Sequence, residues 1–260
     1  MLITGAGRAI GRATATELVD RGHHVVATAR DVALLADLGV AQTLSLDVAD
    51  PESVAMALAA AGELDAVVNN AGITGSGPLE DFPIERLQAV LETNAVGPLR
   101  VIQPLLAGWR ARRSGVVVNV SSVQGRVAPP LEGAYAASKH ALEAISEVLH
   151  LELGHFGIRV VIVEPGYIAP GMKHTSEHRG PEAYAPLHAQ WEDIDVKVTG
   201  PGGRPGPELV ARAIADAIED PSTPLRVPVG EDATAILALR GSLDDEAFED
   251  TMRQALDIDW

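Results

Sequence analysis

The sequence predicts a doubly wound α/β fold, in which a parallel sheet of about seven strands carries helices on both faces. Short apolar runs alternate with helical patterns along most of the 260 residues. This alternation is typical of βαβ units with right-handed crossovers. The apolar side chains are mainly aliphatic, since only 3% of the residues are aromatic. Such a composition favours helices packed on a buried sheet over an aromatic-rich sandwich.

The positions of these runs set the order of the elements. Strands are predicted near residues 2–4, 24–29, 42–46, 66–69, 115–121, 158–164 and 224–229. Helices are predicted between them, near residues 9–21, 51–61, 84–112, 134–154 and 207–219. The run from Ile158 to Val163 is broken only by Arg159, which indicates a strand buried on both faces.

Two segments depart from the alternation. Residues 166–207 are rich in Gly, Pro and His and predict a long excursion from the sheet. Long insertions in compact domains are usually lids or binding loops, so we expect a substrate lid at about 167–206. Residues 231–260 predict one or two amphipathic helices ending at Trp260. Because no linker separates these segments from the rest, we expect a single domain spanning residues 1–260.

The composition excludes several classes of protein. With no Cys, the chain has no disulfide framework, thiol nucleophile or Cys-ligated metal site. A formal net charge of −16 argues against nucleic-acid binding, which needs a basic surface. The apolar runs are strand-sized and no targeting segment is evident, so we expect a soluble cytoplasmic protein with no membrane partner.

A glycine cluster follows the first predicted strand and opens the first helix. It comprises Gly5, Gly7 and Gly11, with Arg8, Ala9 and Ile10 between the last two. Glycines at this point let the backbone turn tightly and approach a diphosphate, whose charge meets the N–H groups of the helix N-terminus. A glycine cluster alone is often an ordinary turn. Its place after strand one favours dinucleotide binding.

The end of the second strand indicates which dinucleotide is bound. NAD sites place an acidic residue there for the ribose 2′-hydroxyl, whereas an Arg accommodates the 2′-phosphate of NADP. Here Ala29 stands at the expected acidic position and Arg30 follows it, while Arg8 adds a second cation. The sequence therefore favours NADP(H), with NAD(H) possible. The alternative is that Asp31 reaches the ribose, or that both arginines are merely solvated.

Tyr135 and Lys139 stand four residues apart, on one face of a predicted helix. A phenol with an ordinary pKa of about 10 is a poor acid–base catalyst near neutral pH. A lysine ammonium one turn away stabilises the phenolate and is expected to lower that pKa. Ser122 ends the fifth predicted strand, where strand ends of such sheets meet ligands. The intervening loop can bring Ser122 beside Tyr135.

Taken together, these motifs resemble those of the short-chain dehydrogenases/reductases, single-domain oxidoreductases with a Rossmann fold. The resemblance covers roughly residues 1–230. It rests on the loop from Thr4 to Gly11, on Asp47 and Val48, on Asn69, Asn70, Ala71 and Gly72, on Asn94, on Ser122, on Tyr135 with Lys139, and on Pro165, Gly166 and Ile168.

The resemblance implies a role for each of these residues. Tyr135 would exchange a proton with the substrate oxygen, Ser122 would hydrogen-bond the same oxygen, and Lys139 would lower the Tyr135 pKa and bind the nicotinamide ribose. Asn94 would complete the catalytic set by holding a water. The resemblance also implies that the cofactor is bound by Gly5, Gly7, Arg8, Ala9, Ile10, Gly11, Arg30, Asp47, Val48, Asn70, Ala71, Gly72, Tyr135, Lys139, Pro165, Gly166 and Ile168.

Three departures from the family pattern carry their own expectations. The first strand is short, because Met1 lies only three residues before Thr4. Ala9 replaces the usual middle glycine of the loop, so its methyl group should narrow the approach of the phosphate. Pro170 stands where the family often has a Thr that contacts the nicotinamide carboxamide, which predicts a looser grip on that group.

The predicted lid is apolar and partly aromatic, with Met172, Tyr184, Leu187, Trp191 and Ile194. It favours a hydrophobic ketone or secondary alcohol as substrate. His174 and His178 have the spacing of metal ligands, but no third ligand is evident and we expect no metal. By resemblance, residues 84–112 and 134–154 would form the interface of a homodimer or homotetramer. The tail would pack beside the cleft of its own subunit or cover a sheet edge.

Three other functions remain open at this point. An NAD-dependent alcohol dehydrogenase would use the same residues. A non-catalytic dinucleotide sensor is expected to lack Tyr135 or Lys139, and both are present. A nucleotide-sugar epimerase or dehydratase would carry a longer C-terminal substrate domain and a glycine where Arg8 stands.

Overall fold

A seven-stranded sheet organises the chain, with strand order β3-β2-β1-β4-β5-β6-β7. The structure is a computed structural model that describes residues 1–170, 178–192, 194–199 and 202–260. The strands are β1 Leu2–Ile3, β2 Val26–Ala29, β3 Gln42–Ser45, β4 Ala66–Asn69, β5 Gly115–Val120, β6 Ile158–Pro165 and β7 Arg226–Val229. All neighbouring strands pair in parallel. The predicted doubly wound α/β fold is therefore confirmed.

Helices surround the sheet on both faces. They are α1 Ala9–Asp20, α2 Pro51–Ala61, α3 Ile84–Leu91, α4 Gly97–Ile102, α5 Leu106–Arg112, α6 Gly133–Gly154, α7 Ala185–Trp191, α8 Ile194–Thr199, α9 Glu208–Glu219, α10 Glu231–Ser242 and α11 Asp245–Leu256. One aliphatic core includes buried side chains of α1 and α9. A second core, on the α2 and α6 side, contains Trp109. Both cores depend on the β-branched strand residues that the sequence placed between helices.

The first strand has only two residues, as its closeness to the N-terminus predicts. Leu2 and Ile3 are fully buried and pair with Val26 and Ala27 on one side and with Val67 and Val68 on the other. The Met1 ammonium donates to the His24 carbonyl oxygen at 2.8 Å. The strand is thus short but central, and the glycine loop begins directly at its end.

The predicted helix at 84–112 is not continuous. A π-helical turn, Glu92–Val96, separates α3 from α4, and a 3₁₀ turn, Gln103–Leu105, separates α4 from α5. Pro98 and Pro104 lie at the starts of α4 and of the 3₁₀ turn. The missing N–H of a proline is tolerated at the start of a helix but breaks a continuous one. π-turns inside helices are frequent at functional sites, and this one contains Asn94.

The predicted lid has more regular structure than its composition suggests. Its described part contains a 3₁₀ turn, Glu182–Tyr184, followed by α7 and α8. Leu187 and Ile194 are buried. The Tyr184 hydroxyl donates to Glu80 at 2.8 Å, and His178 pairs with Asp81 at 2.8 Å. Met172 and His174 lie outside the described residues, so the predicted lid is only partly visible.

The C-terminal segment forms two helices, α10 and α11, and packs on the lid of its own chain. Lys197 of α8 donates to the Leu256 carbonyl oxygen at 2.6 Å. The rings of Tyr184 and Trp260 lie 5.7 Å apart. The tail therefore contacts the predicted lid at Tyr184 and at Lys197. None of the helices in the described ranges is long and apolar enough to cross a lipid bilayer.

Candidate active site

One cleft of about 420 Å³ opens at the carboxyl ends of the central strands. Strand ends at the point where chain order reverses are the usual ligand site of such sheets. The cleft is lined by most of the residues that the sequence predicted for the site: Gly5, Gly7, Arg8, Ala9, Ile10, Arg30, Asp47, Val48, Asn70, Ala71, Gly72, Ser122, Tyr135, Lys139, Pro165, Gly166 and Ile168. The two others, Gly11 and Asn94, lie behind its wall.

The glycine loop is closely packed against the fourth strand. Asn70 donates its side-chain amide to the carbonyl oxygens of Thr4 and Gly5 at 3.0 and 3.1 Å. The Thr4 hydroxyl accepts from the backbone N–H groups of Asn70 and Ala71, both at 3.0 Å. Gly11 sits beneath this loop, where a Cβ would lie 2.3 Å from the Gly5 oxygen. Gly11 therefore allows the close packing and does not itself face the cleft.

The N-terminus of α1 is open to an anion. No side chain caps it, and its first turn carries no acidic residue. Its free N–H groups therefore remain available to a diphosphate, and their dipole favours negative charge. The residues present fit a dinucleotide at this position.

Ala9, which replaces the usual glycine of the loop, adopts a backbone φ of 45°, in the left-handed region.

 The glycine that the family usually has there would adopt this conformation freely, whereas an alanine in it costs about 1–2 kcal/mol. The methyl group lines the cleft, as the sequence predicted. The alanine in place of glycine therefore strains the loop and adds a methyl group on the side where the phosphate is expected to approach.

At the end of the cleft where the adenosine is expected, the second strand has no carboxylate at its last position, Ala29. Ala29 faces Gly7, where a Cβ on the glycine would be 3.6 Å from that of Ala29. The Asp31 carboxylate accepts from the Ala33 N–H at 3.0 Å and caps the 3₁₀ turn Val32–Leu35. Arg8 and Arg30 are exposed and line the cleft. Positive charge is thus available where a ribose phosphate would be bound.

Asp47 and Val48 form the adjoining wall. The Asp47 carboxylate accepts from the Ala49 N–H at 3.0 Å, which fixes the turn after β3. Val48 is buried, and its carbonyl oxygen accepts from Arg100 at 2.7 Å. Both residues line the cleft, so this wall is held rigidly from behind.

Ser122 and Tyr135 meet in the middle of the cleft. The Ser122 hydroxyl accepts from the Gln124 N–H at 3.2 Å, which caps the 3₁₀ turn Val123–Gly125, and it lies close enough to Tyr135 to affect the pKa of the Tyr135 hydroxyl. Burial raises the pKa of the Tyr135 hydroxyl, against the lowering effect of Ser122. The prediction that Lys139 lowers this pKa is not met here, because burial dominates. Tyr135 holds its proton at neutral pH.

Lys139 lies one turn further along α6 and is also buried. Its ammonium donates to the Val120 carbonyl oxygen at 2.8 Å and lies 5.6 Å from the centre of the Tyr135 ring. Burial lowers the pKa of Lys139 to about 8, and the charge of Glu143 opposes this shift. The ammonium is therefore bound to the end of β5, two residues before Ser122.

Asn94 supports the site from behind. Its side-chain oxygen accepts from the Ile73 N–H at 2.9 Å, and its amide donates to the Ile73 carbonyl and the Ser138 hydroxyl, both at 2.9 Å. These bonds join the π-turn to α6 between Tyr135 and Lys139. The water-holding role that the resemblance implies for Asn94 stays a prediction.

The segment after β6 forms the end of the cleft at which the nicotinamide is expected. The Tyr167 N–H donates to the Asp232 carboxylate at 2.7 Å, and a Cβ on Gly166 would clash with that carboxylate at 2.2 Å. The Ala169 N–H donates to the Pro205 carbonyl at 2.8 Å. Asp232 and Pro205, which lie outside the segment from Pro165 to Ile168, therefore hold the backbone that leads to Pro170.

Sequence reasoning missed two residues at this end. Asp232 supports the loop through Tyr167, and the Arg204 guanidinium lies 5.7 Å from the centre of the Tyr167 ring and lines the cleft. Asp232 stands 65 positions after Tyr167, and no local pattern links the two. The acidic start of α10 was the only signal in the sequence.

The two histidines with metal-ligand spacing, for which no metal was expected, lie in the predicted lid. His178 pairs with Asp81, and His174 is outside the described residues. No group of three or more His, Asp or Glu side chains in the described part of the chain could hold a metal ion.

Comparison with known proteins decides the family. Residues 1–180 match the family model of the short chain dehydrogenases. The chain belongs to the short-chain dehydrogenase family. It is therefore an oxidoreductase that acts on a small molecule, as the motifs predicted.

Individual relatives of this short-chain dehydrogenase extend over most of its length. It is 33% identical to a 3-ketodihydrosphingosine reductase of Bacteroides thetaiotaomicron over 238 residues, covering 88% of this chain and 87% of the relative. A short-chain dehydrogenase from Streptomyces avermitilis has a structure that superposes with a TM-score of 0.81 at 36% identity, covering 98% and 96% of the two chains. One from Burkholderia cenocepacia J2315, solved in complex with NADP, gives a TM-score of 0.78 at 25% identity, covering 98% and 95%.

Proposed function

We propose that this enzyme prefers NADP(H) and transfers a hydride between the nicotinamide and a hydrophobic ketone or secondary alcohol. Tyr135 is its general acid and base. The observation that carries the proposal is that Ser122, Tyr135 and Lys139 line one cleft together with the open N-terminus of α1. Proton exchange and cofactor binding are thereby combined in one site.

In reduction, Tyr135 donates its proton to the carbonyl oxygen of the substrate. Because its pKa is raised, the Tyr135 hydroxyl carries its proton at neutral pH and is in the protonation state that a general acid needs. Ser122 donates a hydrogen bond to the same oxygen as its charge develops. In oxidation, the same two hydroxyls act in reverse.

Lys139 and Asn94 serve the same reaction from behind the two hydroxyls. The Lys139 ammonium supplies positive charge near the Tyr135 ring and a donor for the nicotinamide ribose. Asn94 holds the π-turn against α6. The bound cofactor supplies the hydride, and the cleft walls hold it beside the substrate carbon.

The preference for NADP(H) is supported by what surrounds the end of β2. Ala29 offers no carboxylate, and Asp31 already caps a turn. Arg8 and Arg30 both line the cleft. A guanidinium pairs well with a phosphate because its N–H groups match two phosphate oxygens.

Replacing Arg30 with Ala is expected to weaken NADPH binding about tenfold or more and to leave NADH binding within twofold, because a hydrogen bond to a charged group contributes about 1.5–3 kcal/mol. Isothermal titration with both cofactors measures the two constants. Arg110→Ala, which removes an equal charge from an exposed position on α5, is the matched control. Equal weakening of NADPH and NADH by Arg30→Ala would contradict the preference, and would favour an NAD-dependent alcohol dehydrogenase.

A hydrophobic substrate is supported by the lid. Leu187 and Ile194 of the lid are buried, and the relative named as a 3-ketodihydrosphingosine reductase reduces a keto group by its name. A panel of apolar and polar ketones, followed by NADPH oxidation at 340 nm, tests the proposal. Turnover of the apolar ketones supports it. NADPH binding without any turnover would instead indicate a dinucleotide sensor, and turnover of nucleotide sugars an epimerase or dehydratase.

We also propose that the enzyme is a homodimer or homotetramer, with α6 at the interface. Val148 and Leu151 of α6 are 51% and 77% exposed, so α6 presents two large apolar side chains close together on its outer face. Leu151→Glu is expected to shift the assembly towards monomer in sedimentation velocity. Met56→Glu, at an equally exposed position of α2, should leave it unchanged; a wild-type monomer would exclude the proposal. The single domain and the cytoplasmic location stay predictions.

A further inference from the structure

A buried charge cluster lies behind the turn that carries Ser122, and the proposed reaction does not use it. Glu143 of α6 and Glu164 of β6 are 4% and 1% exposed. Arg226 of β7 approaches the Glu143 carboxylate at 3.1 Å and the Glu164 carboxylate at 3.6 Å. Burying two carboxyls with one guanidinium is costly and seldom adds stability, so a role other than stability is indicated.

Glu143 contacts the Ser122 turn at two points. Its carboxyl group lies close enough to the Ser121 hydroxyl, directly before Ser122, for that hydroxyl to lower the Glu143 pKa. At the other end of the turn, a Cβ on Gly125 would lie 2.8 Å from Glu143 Cγ and 2.7 Å from the Ser121 Oγ. The turn is therefore packed on the Glu143 side chain without room for one added carbon.

Glu143 also stands one helical turn from Lys139, and its charge raises the Lys139 pKa that burial lowers. The charged groups that face Glu143 are Arg226 from β7, Glu164 from β6, Arg126 from the turn, and Lys139 and Glu147 from α6. Burial raises the pKa of Glu164 to about 7. Burial also raises the pKa of Glu143, and Arg226, which lies closer to Glu143 than to Glu164, opposes this rise.

We propose that Glu143 is a positioning residue for both sides of the site: it fixes the turn that presents Ser122 to Tyr135, and it sustains the ammonium of Lys139. Arg226 anchors Glu143 in this place. The proposal rests on the roles proposed for Ser122 and Lys139. It adds a residue outside the motifs of the cleft.

The first test does not depend on turnover. The chain contains three lysines, Lys139, Lys173 and Lys197, so labelling lysine with ¹³C at Cε gives three resonances that can be titrated by NMR. In Glu143→Gln, which keeps the side-chain shape, the Lys139 titration midpoint should fall by about one pH unit. Glu147→Gln, which removes a charge from the same helix and also pairs with Arg226, is the control. An unchanged Lys139 midpoint in Glu143→Gln, or an equal fall in Glu147→Gln, overturns the proposal.

The second test separates position from charge. Glu143→Leu loses the contact with Ser121 and should lower kcat about 10²-fold while the Kd for NADPH stays within twofold, because small misplacements of reacting groups cost about this much. Gly125→Ala reaches the same turn from its other side and should show the same pattern if the first variant does not fold. A kcat within twofold of wild type in either folded variant overturns the positioning role. A wild-type protein without turnover would count against the proposed reaction, and the NMR titration would still decide on Glu143 and Lys139.

Discussion

Replacing Tyr135 with Phe is expected to lower kcat for ketone reduction by about 10²–10⁴-fold, the usual contribution of a positioned general acid. The change removes only the hydroxyl, and the ring remains in its buried place. Because Ser122 can still donate to the substrate oxygen but cannot deliver a proton, the developing charge is stabilised without being neutralised. Stopped-flow or steady-state oxidation of NADPH measures the effect.

Binding provides the control for this variant. The Kd for NADPH of Tyr135→Phe should stay within about tenfold of wild type, since the loss of a single uncharged hydrogen bond costs at most about 1.5 kcal/mol. Tyr184→Phe removes the same atom from a lid residue bonded to Glu80 and should retain turnover. Wild-type turnover by Tyr135→Phe would refute the assignment of the general acid.

Much of the cleft could be predicted from the sequence because most of its motifs follow the end of a strand. Strands are recognised from runs such as Ile158 to Val163, and parallel strands bring their ends to one edge of the sheet. Gly7, Ser122 and Ile168 thus meet although they are far apart in the chain. The order of the motifs along the chain is therefore enough to predict that they meet at one edge of the sheet.

The features that the sequence did not predict depend on contacts between distant side chains. The π-turn at Asn94 is held by Ile73 and Ser138, 21 and 44 residues away, and the helical periodicity around it gives no sign of the break. The Tyr135 pKa was predicted from its spacing to Lys139 alone. Burial of the hydroxyl is a tertiary effect, and it reverses the direction of the shift.

The glycine loop supports the second large effect: Gly11→Ala is expected to weaken NADPH binding by at least about tenfold and to lower the Tm. The new methyl carbon would lie 2.3 Å from the Gly5 oxygen and 2.4 Å from the Asn70 side-chain nitrogen. Both atoms belong to the hydrogen bond that holds the loop against β4, so the loop must move. Overpacking of this kind costs about 1–3 kcal/mol, and about 2–4 °C of Tm accompany each kcal/mol in a chain of this size.

Gly241→Ala is the matched control for this substitution. Gly241 lies in α10 with no atom within 4 Å of an added Cβ, and alanine is the better helix former by about 0.8–1 kcal/mol. Its Tm should be equal or higher and its NADPH affinity unchanged. Both affinities are measured well below the Tm, so that loss of binding in Gly11→Ala reflects the displaced loop and not unfolding. Wild-type affinity in Gly11→Ala would mean that the diphosphate does not depend on the close packing of this loop, and the cofactor site would have to be placed elsewhere in the cleft.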